Sequence, residues 1–106
     1  MNVAASRLQT VIRFRNFQVK KARKELAQIK VHRQKEEGAL NDLEETKSTA
    51  MTDAARDMKA KAADLQTSRA FIQSLSRQIK QQEDKVGEIQ HQEDDKRGEL
   101  IEKTQS

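Results

Sequence analysis

The side chains that could do chemistry in this sequence are few and far apart. His32 and His91 are separated by most of the chain, and neither begins the His-Glu-x-x-His pattern of a zinc peptidase. His91 precedes a run of acids, Glu93, Asp94 and Asp95, whose carboxylates could hold a divalent cation. Such a run is more typical of a solvated acidic face. With no glycine-rich phosphate loop and no nucleophile–base pair, we predict no catalytic residues, no metal site, no cofactor and no enzymatic activity.

The densest charged cluster is the basic run Lys20-Lys21-Ala22-Arg23-Lys24. A basic helix of this kind can run along the phosphates of a nucleic acid. Apolar residues continue with helical spacing through the run, however, at Val19, Ala22, Leu26 and Ile29. We therefore favour a solvated face or a protein-docking surface, and nucleic-acid binding is the minor alternative.

The composition limits the kind of fold that can position these residues. The chain has 106 residues, no Pro, no Cys and three Gly, which argues against an all-β fold and excludes a disulfide framework. Leu, Ile, Val and Phe together number 21, close to the level below which chains fail to bury a core. An extended helical structure and a disordered chain both fit this composition.

The heptad periodicity favours the extended helical structure over the disordered chain. With Ala5 as position a, ten of 14 a and d residues up to Ala50 are apolar, about twice the number expected by chance. A second series that begins with Met58 as a has eight apolar residues of 14. We predict a coiled-coil core formed by Leu8, Ile12, Val19, Leu26, Ile29, Leu40, Leu43, Leu65, Ile72, Ile79, Val86, Ile89 and Leu100.

The two heptad series are out of phase, so something interrupts the helix between them. The segment around residues 48–53 is rich in N-cap residues, and Thr52 or Asp53 could begin a new helix. One continuous helix with a stutter is the alternative. The predicted fold is all-α, with one domain over residues 1–106: helix 1 at about 3–48, a turn at about 49–53, and helix 2 at about 54–104, paired as an antiparallel coiled-coil hairpin.

The charge distribution favours this hairpin. Residues 1–35 carry a net charge of +9 and residues 81–102 a net charge of −5, although the whole chain carries only +4. Folding back the chain would bring these stretches together, whereas a parallel homodimer would place like charges side by side. We therefore expect a monomeric hairpin, with a homodimeric scaffold as the alternative.

Three phenylalanines lie outside the a and d positions. Phe14 and Phe17 fall on the predicted outer face, where a small apolar patch usually indicates a partner. Phe71 lies beside Ile72, one turn before Leu75, and could belong either to the flank of the core or to a second patch. No secretory signal or apolar run of roughly 20 residues is present, so we expect a cytoplasmic protein without direct membrane insertion.

Several segments, in this order and spacing, resemble the flagellar export protein FliJ family. They are Arg7-Leu8-Gln9-Thr10-Val11-Ile12-Arg13, Ala22-Arg23-Lys24-Glu25-Leu26-Ala27, Leu40 with Leu43, Phe71-Ile72-Gln73-Ser74-Leu75, Ile79, and Lys96-Arg97-Gly98-Glu99-Leu100. The resemblance covers essentially the whole chain. Because the chain is shorter than is usual for the family, a truncated copy and a short YscO-type stalk of virulence secretion both remain possible identities.

The resemblance implies a coiled-coil stalk of a type III protein export ATPase. In this family the helix ends enter the hexameric ATPase ring, the stalk links the ring to a membrane export gate protein, and export chaperones also bind. It places the protein at the cytoplasmic face of the inner membrane through the export apparatus. It implies a gate contact at Phe71 and Leu75, and ring contacts at Arg13, Phe14, Arg15, Phe17, Lys20, Lys21, Arg23 and Lys24.

Overall fold

The computed structural model describes residues 3–57 and 61–105, which form two long helices. Helix α1 spans Val3–Arg56 and helix α2 spans Ala62–Gln105. Apart from residues 57 and 61, every residue in the described part of the chain is helical. The predicted all-α fold of two helices in an antiparallel hairpin is confirmed.

The position of the turn predicted from the sequence is wrong. We placed it at residues 49–53, but α1 continues through them to Arg56, and the break lies between Arg56 and Ala62. Thr52, a predicted N-cap, instead donates its hydroxyl to the Ser48 carbonyl oxygen within α1, at 2.9 Å. A hydroxyl that donates to the carbonyl oxygen four residues earlier forms its hydrogen bond within the helix and does not end it. The segment also contains no Gly or Pro. The continuous-helix alternative is also wrong.

Glycines occur inside both helices without breaking them. Gly38 lies in α1, and Gly87 and Gly98 lie in α2; none has a positive φ angle. A Cβ built at any of the three positions would have no neighbouring atom within 4 Å. These glycines are therefore not required by a turn or by a close approach of another element.

The chain divides into two compact units, and both helices contribute to each. The first unit contains Met1–His32 and Ile89–Ser106, and the second contains Arg33–Glu88.

In the first unit, two contacts between α1 and α2 define an antiparallel register. Arg15 donates its Nε hydrogen to the Lys103 carbonyl oxygen at 3.3 Å, and the Glu25 carboxylate pairs with the Lys96 ammonium. As residue numbers rise on α1 they fall on α2, and the numbers of Arg15 and Lys103 sum to 118. This register sets Ile29 opposite Ile89, and Leu26 opposite Gln92, next to Glu93.

The second unit has the same register. Gln82 donates its Nε2 hydrogens to Glu36, at 2.7 Å to Oε2 and 2.9 Å to the carbonyl oxygen. Lys85 forms an ion pair with the same carboxylate at 3.3 Å. The numbers of Glu36 and Gln82 also sum to 118.

Burial follows the predicted seam, by which we mean the a and d positions of both heptad series. In the first unit Ala22 and Ile89 are 1% and 3% exposed, and in the second unit Leu75 is 4% exposed. The other predicted core residues with intermediate burial are Val19, Leu26, Ile29, Leu40, Leu43, Ile72, Ile79, Val86 and Leu100. Each helix packs against only one other helix, so only one stripe of its surface is shielded from solvent. Most residues of the seam are therefore only partly buried.

Three residues predicted to be core are exposed instead. Leu8 and Ile12 are 61% and 48% exposed. Leu65 is 44% exposed and lines an open cavity together with Ala50 and Ala54. Met58, which begins the second heptad series, lies outside the described residues.

Candidate interaction surfaces

The first candidate surface is the basic arm, defined as residues 13–24 of α1 in the first unit. Helical periodicity directs most of its cations away from the seam, and the side chains of Arg13, Lys20, Lys21, Arg23 and Lys24 are exposed. Arg15 differs, since it occupies a d position, is half-buried and donates to the Lys103 carbonyl oxygen. The arm therefore presents a strongly cationic face, with Arg15 tied into the helix pair.

Exposed apolar side chains accompany this basic arm. Phe14 and Phe17, three residues apart on α1, are 60% and 63% exposed, as the heptad positions predict. Val11 is 61% exposed and lies one turn before Phe14 and Arg15. An exposed patch that combines phenylalanines with cations is suited to a protein partner that offers apolar pockets and carboxylates.

Two charge pairs between the helices have the opposite sign to the predicted arrangement. We expected bases of α1 to meet acids of α2. Instead an acid of α1 meets a lysine of α2 in the Glu25–Lys96 pair of the first unit and in the Glu36–Lys85 pair of the second. Net charges of whole segments were misleading, because only residues that flank the seam come within reach of the other helix.

Many acids of α2 are paired within α2 itself. Glu99 accepts from Lys103 and from Lys96, each at 3.0 Å, and Asp94 accepts from Arg97 at 3.3 Å. Helical spacing of three or four residues brings these groups together. The basic arm is therefore not neutralised through these acids.

The pKa values around Lys96 reflect its two partners. Its hydrogen bond to Glu25, followed by that to Glu99, raises the pKa of Lys96 above the ordinary 10.5. The same Lys96 bond lowers the pKa of Glu25 below 4.5. The pKa of Glu99 is lowered first by Lys103 and then by Lys96. These groups are partly exposed and are paired with one another, so the shifts report a local charge network and do not identify a reactive site.

The burial of Glu93 was predicted wrongly from the sequence. We included it in a solvated acidic face, but it is only 1% exposed. It occupies an a position in the first unit, and Arg97 donates to its Oε1 at 3.0 Å. The heptad series contained the signal, since Glu93 falls on it, while its neighbours Asp94 and Asp95 are exposed. Across residues 3–57 and 61–105, no group of acids and histidines is arranged to hold a metal ion.

The second candidate surface is the Phe71 groove of the second unit, formed by the last turns of α1 and the first turns of α2. It is a cavity of about 290 Å³ lined by Ala50, Asp53, Ala54, Asp57, Asp64, Leu65, Ser68 and Phe71. Phe71 is 51% exposed. Leu75, by contrast, is buried in the seam and has no surface to offer a partner. Of the two residues assigned to a gate contact, the structure therefore leaves only Phe71 accessible.

The fold and these surfaces define a class of protein: an antiparallel two-helix coiled coil that presents interaction surfaces on its outer faces. The family model described as "Flagellar FliJ protein" matches residues 4–106. The chain belongs to the FliJ family, whose members are non-enzymatic components of flagellar protein export. No match was found among curated proteins or among solved structures.

Neither helix contains a stretch that is long and apolar enough to cross a membrane, within the residues described.

Proposed function

We propose that this protein is the stalk of a type III export ATPase complex. In this proposal it enters the hexameric ATPase ring, links the ring to the membrane export gate protein, binds export chaperones, and acts at the cytoplasmic face of the inner membrane. Membership of the FliJ family supports an export-related role. The observation that carries the finer proposal is the presence of two unlike surfaces, a cationic one in the first unit and one lined by acids in the second.

The ATPase ring is assigned to the basic arm. Phe14 and Phe17 are more than half exposed and lie among cations such as Lys20 and Arg23, which have no carboxylate partner among the residues that the structure describes. Apolar anchors surrounded by charge are typical of binding hot spots, where the anchor supplies affinity and the charges speed association and select the partner. Arg15 is expected to act differently from its neighbours, because its guanidinium is held against Lys103.

The export gate is assigned to the Phe71 groove. Phe71 combines half exposure with a cavity at its side, an arrangement that accepts a side chain from a partner. Leu75 supports the site from the seam, one turn further along the same helix, and is not itself a contact.

A crossed pair of variants tests both assignments. R13E/K20E/R23E reverses three exposed charges of the basic arm and should abolish stimulation of ATP hydrolysis by the purified export ATPase. It should leave binding to the soluble domain of the gate protein unchanged. Phe71→Ala should do the reverse, weakening gate binding while ATPase stimulation persists. In both variants the helical circular-dichroism signal should be retained, since the altered residues are exposed.

Matched controls separate a local effect from a general one. R69E/R77E/K80E changes the net charge by the same amount at exposed positions of α2 and should stimulate the ATPase normally. Phe17→Ala removes a comparably exposed ring and should not affect gate binding. If charge reversal in the basic arm leaves stimulation intact, the ring assignment is wrong. If the wild-type chain binds neither the export ATPase nor the gate domain, the chain is a scaffold of another kind.

A further inference from the structure

The Phe71 groove has a chemical character that indicates what it binds. It continues into a second cavity that shares Ala50, Asp53 and Phe71 with the first and adds Glu45. Phe71 therefore stands between two hollows of one surface, both within the second unit.

The floor of this groove is apolar and open. Phe71, beside the seam, and Leu65, an a residue of the seam, are 51% and 44% exposed, so both offer apolar surface to a partner. Ala50 and Ala54 face them from α1, and their methyl groups are too short to fill the space. A single apolar side chain from a partner could bury against Phe71 and Leu65 here without moving either helix.

The charged residues that line the groove are all acidic. Glu45, Asp53, Asp57 and Asp64 are exposed, and none forms an ion pair with another residue that the structure describes. Other carboxylates of the chain, such as Glu25 and Glu99, are paired with lysines. Four unneutralised carboxylates around an apolar floor attract a cationic partner and repel an acidic one.

We propose that the Phe71 groove binds a basic segment of a protein partner, one with an apolar anchor residue flanked by lysines or arginines. This inference deepens the proposed function, since it states the chemistry of the gate segment assigned to the same groove. The anchor packs on Phe71 and Leu65, and the flanking cations approach Asp53, Asp57 and Asp64. The carboxylates select the partner, while the anchor supplies most of the affinity.

Two synthetic peptides test this chemistry on the 106-residue chain. Both have 15 residues with Leu at the same positions, and one has Lys where the other has Glu. Fluorescence anisotropy at low salt should show binding of the Lys peptide and no binding of the Glu peptide. D53N/D57N/D64N should weaken Lys-peptide binding about tenfold, because three exposed pairs are lost. Phe71→Ala should weaken it as well, since the anchor loses its floor.

A charge-matched control shows whether the groove itself is responsible. D84N/E88Q/E102Q removes the same number of negative charges from exposed positions outside the groove and should bind the Lys peptide like the wild type. Equal loss in both triple variants would mean that the peptide responds to net charge alone and would overturn the proposal. Self-association of the wild type that D53N/D57N/D64N abolishes would assign the groove to a second copy and also overturn it.

The soluble gate domain separates this inference from the proposed function. If D53N/D57N/D64N weakens gate binding and the charge-matched control does not, the result supports both the basic-segment inference and the proposed function. Gate binding that is unchanged in D53N/D57N/D64N would overturn the basic-segment inference and leave the stalk function standing. A gate domain that does not bind the wild type would remove the gate assignment, while the peptide result would still decide the chemistry of the groove.

Discussion

At the scale of single residues, two isoleucines of α2, one on the seam and one outside it, show how much the contribution to stability depends on burial. Ile89 is 3% exposed and Ile101 is 48% exposed, although both belong to the first unit. Ile89→Ala should lower the free energy of unfolding by about 2–4 kcal/mol, because it leaves a cavity between the helices. Ile101→Ala should lower it by less than about 1 kcal/mol. Chemical denaturation followed by circular dichroism measures both, and equal losses would contradict the burial pattern.

Lys96 and its partner Glu25 lead to a second prediction, which concerns how stability depends on pH. Because the pKa of Glu25 is lowered below 4.5, its stabilising contribution is present above 4.5 and is lost as the pH falls through the folded value. The pKa of Lys96 is raised, so its contribution is complete below 10.5 and is lost at higher pH. The contribution of the Glu25–Lys96 pair to the free energy of unfolding should therefore fall at both extremes of pH and stay level between them.

Lys96→Gln should return the pKa of Glu25 towards 4.5, since Lys96 is the main cause of its shift. Glu99 should change less, because Lys103 is its main cause. NMR titration of the carboxyl carbons measures the two values separately. Lys80→Gln, at an exposed position, should move neither; a change in Glu25 there would mean that distant charge is responsible.

Glu93 marks the limit of residue-level prediction. Its a position follows from the heptad count, yet its acidic neighbours Asp94 and Asp95 favoured a solvated face. A periodic pattern identifies the side of the helix, but the energetic cost of burying a carboxylate argues against the same position. Which argument prevails depends on the Arg97 partner one turn away, and the sequence offers such partners for nearly every acid of α2.

At the scale of the helices, the location of the break is the feature to test. Thr52→Pro should lower the free energy of unfolding by about 3 kcal/mol, because position 52 lies inside α1 and a proline there loses a backbone hydrogen bond. Ala62→Pro should cost less than about 1 kcal/mol, since proline is favoured at the first position of a helix. Denaturation of both variants checks this, and a tolerated proline at 52 would restore the turn to residues 49–53.

The sequence predicted the two helices, their pairing and the middle of their seam, but not their ends. The phase change between the heptad series required a break without locating it, and Ser, Thr and Asp at 48–53 looked like caps. These side chains cap a helix only where the backbone already leaves it; elsewhere they bond back, as Thr46 does to the Asp42 carbonyl oxygen at 2.8 Å. Likewise, the pattern placed Leu8 and Ile12 on the seam face, yet both are exposed.

At the scale of the whole molecule, the prediction concerns the number of chains. The seam is satisfied within one chain by contacts such as Arg15–Lys103 and Gln82–Glu36. Sedimentation equilibrium should therefore give the mass of a monomer, 12.2 kDa. A mass of twice that value, independent of salt, would favour the homodimeric scaffold over the stalk.

Gly38, Gly87 and Gly98 have a mechanical consequence for the molecule. Each lies in a helix where alanine would fit without a clash, and glycine is the weaker helix former by roughly 1 kcal/mol. The helices should therefore be less stable locally at these three glycines than they would be with alanine there. We expect bending of the helices to concentrate at these positions. A protein that must remain attached to one partner while another changes shape benefits from such compliance, which would show as faster amide hydrogen exchange around the glycines than in the alanine-rich turns.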